Sequence, residues 1–227
     1  MNTIAVGGRQ GEVALVDLRT HHVRVLQSVL NNYVDALAFS PGGDLLAAVG
    51  GHAVMFENLD GDTPSIRDLS RFTKWAGAPA GADLSPDGHT LAIASGGTVS
   101  FVDLATEQTI GPPVRVSDDT ITWLAFAPDG SMITTSDFGF SSRLIDVATH
   151  QFIGPVLPIN PATGPVFSDD SKTLGTSTPS SGALLSVDPA VWREQACALA
   201  GRNLTDDEWA RYLPDQGPRQ ATCPAYP

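Results

Sequence analysis

Basic side chains are scarce in this sequence of 227 residues. Lys and Arg together number 13 against 25 Asp and Glu, which gives a net charge of −12 with neutral histidines. Proteins that bind nucleic-acid phosphates or anionic membranes do so with clustered Lys and Arg. The composition therefore argues against both partners, and a solvated acidic surface is the simplest interpretation of the charge.

Long apolar runs are also lacking. No stretch approaches the about 18 apolar residues that a membrane-spanning helix requires. Residues 1–8 do not show the basic leader and apolar core of an export signal. We therefore expect a soluble protein of the cytoplasm.

Groups of residues that carry catalysis or bind metals are missing as well. Paired carboxylates occur at 118–119, 169–170 and 206–207, in predicted turns and at a predicted helix start. Residues 58–62 offer oxygens as in a calcium loop but lack its later bidentate Glu. The sequence contains no nucleophile elbow and no phosphate-binding loop. The five histidines are scattered over different parts of the chain: His21, His22, His52, His89 and His150. We predict no catalytic, cofactor-binding or metal-binding residues, and thus no enzyme.

Glycine and proline, by contrast, are frequent, with 22 and 17 residues. This content is typical of many short strands joined by tight turns, and predicts an all-β fold. One turn signature recurs, with apolar-Ser-Pro-Asp-Gly as its consensus. It is found at 39–43, 84–88, 126–130 and, in decayed form, at 167–171, at spacings of 45, 42 and 41 residues. A period of 40 to 45 residues is a signature of repeat architectures.

A second marker keeps the same period. An acidic or amide residue follows an apolar run at Asp17, Asn58, Asp103, Asp146 and Asp188. Between the markers each unit reads as strand, turn, strand, turn, strand, and a short outer strand ends in Gly-Pro at 111–112 and 154–155. Two markers in phase make a chance repeat improbable.

These units resemble those of the WD-repeat β-propeller family, and the Ile-Gly-Pro outer strand resembles its bacterial, multidomain branch. The resemblance covers residues 3 to 188 and implies a β-propeller of about five blades. The Trp of the family's Trp-Asp pair is absent from every unit: Val16, Glu57, Val102, Ile145 and Val187 stand in its place. The buried Trp-Ser-His-Asp network of many members therefore cannot form.

The first and last units are expected to be incomplete. The first begins at Thr3, where a second strand belongs, and the last reaches Val187 without an outer strand. Two alternatives stay open: the C-terminal part of a larger propeller, or a short variant that closes or remains an open arc. Exposed strand edges favour pairing with upstream blades, another protein chain or a second copy.

A short helical cap is predicted after the propeller, so that the domains are 1–188 and 189–227. Asp188 and Pro189 begin a helix over 190–200 that ends at Gly201. Its stripe of Trp192, Ala196 and Leu199 is expected to pack on the last blade. A capping box over 205–208 begins a second helix that ends before Pro214. This region resembles a C-terminal extension that follows propellers in large bacterial signalling proteins.

Cys197 and Cys223 are the only cysteines. Cys197 is expected to face away from the propeller, where the returning tail can bring Cys223 to it. We favour a disulfide that closes this loop, against the alternative of two reduced buried thiols.

The leading functional hypothesis is a non-catalytic protein-interaction or sensor module without a cofactor, part of a bacterial signalling or regulatory protein. Trp75 and Trp123 are the candidate interaction residues, although Trp123 also suits the core of a blade. One alternative is a propeller-class enzyme with a metal or an acid at the central channel, for which Asp35 and Asp83 are the candidates. Another is a truncated remnant without an independent role.

Overall fold

The computed structural model describes residues 2–26, 33–50, 52–59, 61, 64–69, 79–139, 141–157, 163–177 and 181–226. These residues form an all-β fold of five small antiparallel sheets, followed by two short helices. The prediction of an all-β fold with a short helical C-terminal region is confirmed.

The sheets follow one another along the chain, and each is a run of consecutive antiparallel strands. Sheet 1 contains β1 (Thr3–Gly7), β2 (Val13–Asp17) and β3 (Val23–Leu26). Sheet 2 contains β4 (Ala36–Phe39), β5 (Leu45–Gly50), β6 (His52–Glu57) and β7 (Ser65–Asp68). Sheet 3 contains β8 (Pro79–Leu84), β9 (Thr90–Ser95), β10 (Thr98–Asp103), β11 (Gln108–Thr109) and β12 (Val114–Arg115), the last two both pairing with β10. Sheet 4 contains β13 (Ile121–Phe126), β14 (Met132–Asp137), β15 (Ser142–Asp146) and β16 (Phe152–Leu157). Sheet 5 contains β17 (Thr163–Phe167), β18 (Thr173–Ser177) and β19 (Gly182–Ser186).

The recurring turn signature joins the first and second strands of sheets 2 to 5. In sheet 3 the Ser85 hydroxyl donates to Asp87 at 2.5 Å and accepts from the Thr90 backbone N–H at 2.9 Å. Gly88 then takes a φ of +75°, which glycine adopts without strain. Sheet 5 keeps the same turn geometry with Ser171 at the positive-φ position. The recurring Ser-Pro-Asp-Gly signature thus corresponds to one recurring turn structure.

The second marker caps the turn that leaves the third strand of sheets 3 and 4 and the strand β2 of sheet 1. The Asp103 carboxylate accepts the backbone N–H groups of Thr106 and Ala105, and these hydrogen bonds, with that from Thr106 first, lower its pKa. Asp17 and Asp146 do the same in sheets 1 and 4.

The strand register corrects two of the predicted markers. In sheet 2 the residue that pairs with the start of the second strand is Glu57, not Asn58. In sheet 5 it is Ser186, while Asp188 caps a helix instead. Both errors follow from counting residues along the chain, which ignores the exact length of each strand.

The cores lie between consecutive sheets. We call the side of a sheet that packs on the next sheet its forward face, and the opposite side its backward face. In sheet 5 the forward face is the side that carries Leu184, the register equivalent of Leu144 on the forward face of sheet 4. The forward face of sheet 1 meets the backward face of sheet 2 around Leu15 and Phe56. Sheets 2 and 3, sheets 3 and 4, and sheets 4 and 5 meet in the same way, in three further apolar clusters. In the described part of the chain, no contact of comparable extent joins sheet 5 to sheet 1.

Two helices follow sheet 5. Helix α1 (Pro189–Ala200) is N-capped by Asp188 and ends at Gly201 with a φ of 64°. Helix α2 (Asp206–Tyr212) begins with the predicted capping box, in which Thr205 and Glu208 bond each other's backbone N–H. A 3-10 turn, Pro214–Gln216, comes next.

The predicted apolar stripe of α1 is wrong in part. Trp192 packs against the core of sheets 4 and 5, and its indole N–H donates to the Ser186 carbonyl at 2.7 Å. Leu199, however, is 90% exposed, and Ala196 is also exposed. The side of the helix that is buried carries Cys197 and faces the C-terminal tail, so α1 contacts the sheets only near its start.

Candidate functional site

A pocket of about 290 Å³ lies on the first strands of three consecutive sheets. Its lining includes Asp35, Asp83 and Trp123. Asp35 directly precedes β4, Asp83 lies in β8, and Trp123 lies in β13. The structure thus brings together three of the residues that the sequence singled out for different reasons. The repeat explains this, because all three belong to or border the first strands of adjacent sheets.

Asp83 links two of these sheets. Its Oδ2 accepts the backbone N–H of Phe126 in β13 at 2.8 Å, and its Oδ1 accepts the N–H of Leu84 at 2.9 Å. Burial raises the pKa of this carboxyl, although the two backbone hydrogen bonds oppose the rise. The carboxylate therefore links β8 to β13 through a side-chain to backbone hydrogen bond.

Asp35 lies closer to solvent on the same surface. Desolvation raises the pKa of its carboxyl as well, without an opposing hydrogen bond. Within the described residues, no three His, Cys, Asp or Glu side chains come together in a way that could hold a metal ion. Asp83, one of the two candidates of the enzyme alternative, uses its two carboxylate oxygens to accept backbone N–H groups.

Trp123 is neither a core residue nor a free surface residue. It is 42% exposed, and its indole N–H donates to the Pro165 carbonyl of sheet 5 at 3.2 Å. A Cβ at Gly164 would lie 2.0 Å from the indole ring, so that the ring packs directly on the glycine backbone. Trp123 therefore spans from sheet 4 to the first strand of sheet 5 and still presents an edge to the pocket.

Other predicted positions have simpler roles. His21 lies in the turn between β2 and β3 with a φ of 59°. The His150 ring stacks on Phe101 with centroids 4.4 Å apart. Trp75 and the carboxylates of Asp60 and Asp62 lie outside the described residues.

The two cysteines lie at disulfide distance. Their sulfur atoms are 2.09 Å apart, and both residues are buried. The tail is held close to α1 by further bonds: the Asn203 side chain accepts the Cys223 N–H at 2.7 Å and donates to the Tyr226 carbonyl. The expected return of the tail to Cys197 is confirmed.

The backward face of sheet 1 is a feature that the sequence analysis missed. Ile4 is the second residue of β1 and pairs with Val16 in the next strand. The residues at the equivalent position of sheets 2 to 5, each paired with the next strand in the same way, are Leu46, Leu91, Ile133 and Leu174. Those four residues are fully buried, at 0% exposure, whereas Ile4 is 45% exposed. The difference arises because no sheet packs on this side of sheet 1 in the described structure.

The forward face of sheet 5 shows the same contrast. Leu184 pairs with Gly175 in β18. The equivalent position is occupied by Leu15 in β2 of sheet 1 and by Met55, Phe101 and Leu144 in the third strands of sheets 2 to 4. These four are at most 6% exposed, and Leu184 is 79% exposed. Val166 on β17 is exposed on the same side.

Neither end face carries a charged side chain at its strand positions. The backward face of sheet 1 consists of Ile4, Val6, Ala14, Val16, Val23 and Val25. The forward face of sheet 5 consists of Val166, Thr173, Gly175, Gly182, Leu184 and Ser186. A solvated sheet face usually presents polar residues at alternate positions. In the sequence, the uncovered face of sheet 1 could have been recognised from the apolar residues on both sides of β1 and β2.

Comparisons with known proteins found no family model that matches the chain and no curated protein that matches it. Among the described residues, neither helix has the length and apolar character needed to cross a membrane.

Proposed function

We propose that this chain is a non-catalytic protein-interaction module built as a segment of a WD-repeat-like β-propeller, in which each of the five sheets is a blade. The repeated register supports the propeller: consecutive sheets meet forward face to backward face at all four junctions. Contacts between neighbouring first strands, β4 with β8, β8 with β13 and β13 with β17, agree with a common inner rim.

The observation that carries the interaction function is the exposure of the two end faces. Monomeric proteins rarely expose contiguous apolar patches unless these bind something. Ile4 and Leu184 occupy positions that are buried in every other sheet. The protein therefore presents two uncharged sheet faces, each with large apolar residues exposed at positions that are buried in the other sheets.

The experiment is an affinity purification from the cells that produce the protein, with four immobilised forms. The wild type should retain a defined partner that Ile4→Asp and Leu184→Asp retain in smaller amounts. Leu199→Asp is the matched control, because Leu199 is 90% exposed but belongs to neither end face. Equal retention by all forms, or no specific retention by the wild type, would contradict the proposal.

A further inference from the structure

We infer that the partner of each end face is the opposite end face of a second copy of this chain. The forward face of sheet 5 would pack on the backward face of sheet 1 of the next copy. The inference rests on the proposed function and deepens it, because it specifies the surfaces and the occupant.

The first argument is the pairing rule that the chain itself follows. Each of the four interior junctions joins a forward face to a backward face. The five described sheets therefore leave one face of each kind without a neighbouring sheet. A second copy supplies the complement of both.

The second argument is the match of the exposed residues to the interior ones. In sheets 1 to 4 the forward face presents Leu15, Met55, Phe101 or Leu144 to the next sheet. Leu184 offers the same kind of side chain at the same register. The receiving side presents Leu46, Leu91, Ile133 or Leu174 at the interior junctions, and Ile4 in sheet 1 is the equivalent residue.

The third argument is electrostatic. Each copy has a net charge of −12, so two copies repel each other at long range. Both end faces lack charged residues at their strand positions, so the contact itself adds no buried like charges. Salt screens the repulsion between exposed charges and leaves an apolar contact intact. Association should therefore strengthen as ionic strength rises, the reverse of what a contact between opposite charges shows.

A contact between two different surfaces is heterologous and builds rings or open chains. The test uses gel filtration with light scattering over a wide range of concentration. The wild type should rise in mass from 23.8 kDa towards multiples of that value. Ile4→Asp and Leu184→Asp should each remain at the mass of one chain.

The decisive sample is an equimolar mixture of the two variants. Ile4→Asp keeps its forward face and Leu184→Asp keeps its backward face, so the mixture should form a complex of twice the single-chain mass and nothing larger. Val25→Asp and Val166→Asp, on the same two faces, repeat the test, and far-ultraviolet circular dichroism verifies folding of each variant. Leu199→Asp should associate like the wild type.

Two outcomes would overturn the inference. A wild type that remains at 23.8 kDa at every concentration and salt shows that a second copy does not cover the faces, whereas the proposed interaction function is tested separately by the affinity purification. Two variants that do not associate in the mixture, or a single variant that still dimerises, exclude pairing of forward with backward faces.

Discussion

Leu144 and Leu184 occupy the same register position in the third strands of sheets 4 and 5, yet they are 2% and 79% exposed. Ile133 and Ile4 form a second such pair on the backward faces of sheets 4 and 1, at 0% and 45% exposed. The residue type is identical within each pair. Ile133 and Leu144 lie in interior strands and pack on a neighbouring sheet, whereas Ile4 and Leu184 lie in the edge strands β1 and β19, on faces that no described sheet covers. The interior junctions therefore show which contacts the end faces lack.

The largest expected effect concerns stability at these paired positions. Leu144→Ala should lower the free energy of unfolding by about 2–5 kcal/mol, because it leaves a cavity in a closed core. Leu184→Ala should change it by less than about 0.5 kcal/mol in dilute protein. Urea denaturation of both variants measures the difference. Equal losses would mean that the two positions are equally buried in solution.

A second comparison sets the sheets against the C-terminal extension. Cys223→Ser removes the disulfide-distance pair and should destabilise the segment of α1, α2 and the tail by about 2–4 kcal/mol. Because α1 contacts the sheets only near Trp192, amide hydrogen exchange should increase in 193–226 and remain unchanged in sheets 1 to 4. Exchange that increases equally throughout would show that the extension and the sheets unfold together.

Gly164 and Gly81 provide a third comparison, between two glycines of first strands. A methyl group at Gly164 would lie 2.0 Å from the Trp123 ring, whereas at Gly81 the nearest atom would be 3.6 Å away. Gly164→Ala should therefore displace the indole and cost about 1–3 kcal/mol, and Gly81→Ala should cost less. Tryptophan fluorescence, with Trp123→Phe as the reference, should change for Gly164→Ala alone. A change of similar size in Gly81→Ala would contradict this account of Trp123.

The smallest expected effect is on the pH dependence of stability, and it compares two carboxyls, Glu208 and Asp83, whose pKa values shift in opposite directions. The Arg202 side chain, followed by the Thr205 backbone, lowers the pKa of Glu208 from 4.5 to about 2. A lowered pKa in the folded state stabilises above pH 4.5, and this contribution is lost as the pH falls towards 2. Asp83 has a raised pKa, so its contribution has the other sign: it is complete at low pH and lost as the pH rises through the raised value.

Carboxyl titration by NMR measures both groups. Arg202→Ala should return the pKa of Glu208 towards 4.5 and leave that of Asp83 unchanged. A Glu208 that titrates near 4.5 in the wild type would remove the basis of the prediction.

Local chemistry explains what the sequence could predict. The Ser85 to Thr90 turn, the Asp103 cap and the Thr205 capping box each depend on residues a few positions apart, and the structure contains all three. The meeting of Asp35, Asp83 and Trp123 in one pocket depends on how adjacent sheets stack, which spacing alone does not specify.

The errors lie at longer range. The stripe of α1 suggested packing of Leu199 on the last sheet, but the tail holds the opposite side of the helix through Cys197. The exposure of Ile4 and Leu184 could not be predicted from their own strands, because both residues have the sequence context of buried ones. The exposure of Ile4 and Leu184 becomes informative only by comparison with the equivalent residues of the other sheets, which are buried.

The central claim is that the forward face of sheet 5 packs on a second copy of the chain, and thiol labelling of Leu184→Cys tests it most directly. The reaction with a maleimide should be fast in dilute protein and slow progressively as the concentration rises, because a second copy covers the residue. Leu199→Cys should react fast throughout and Leu144→Cys slowly throughout. A labelling rate for Leu184→Cys that does not depend on protein concentration would contradict the account.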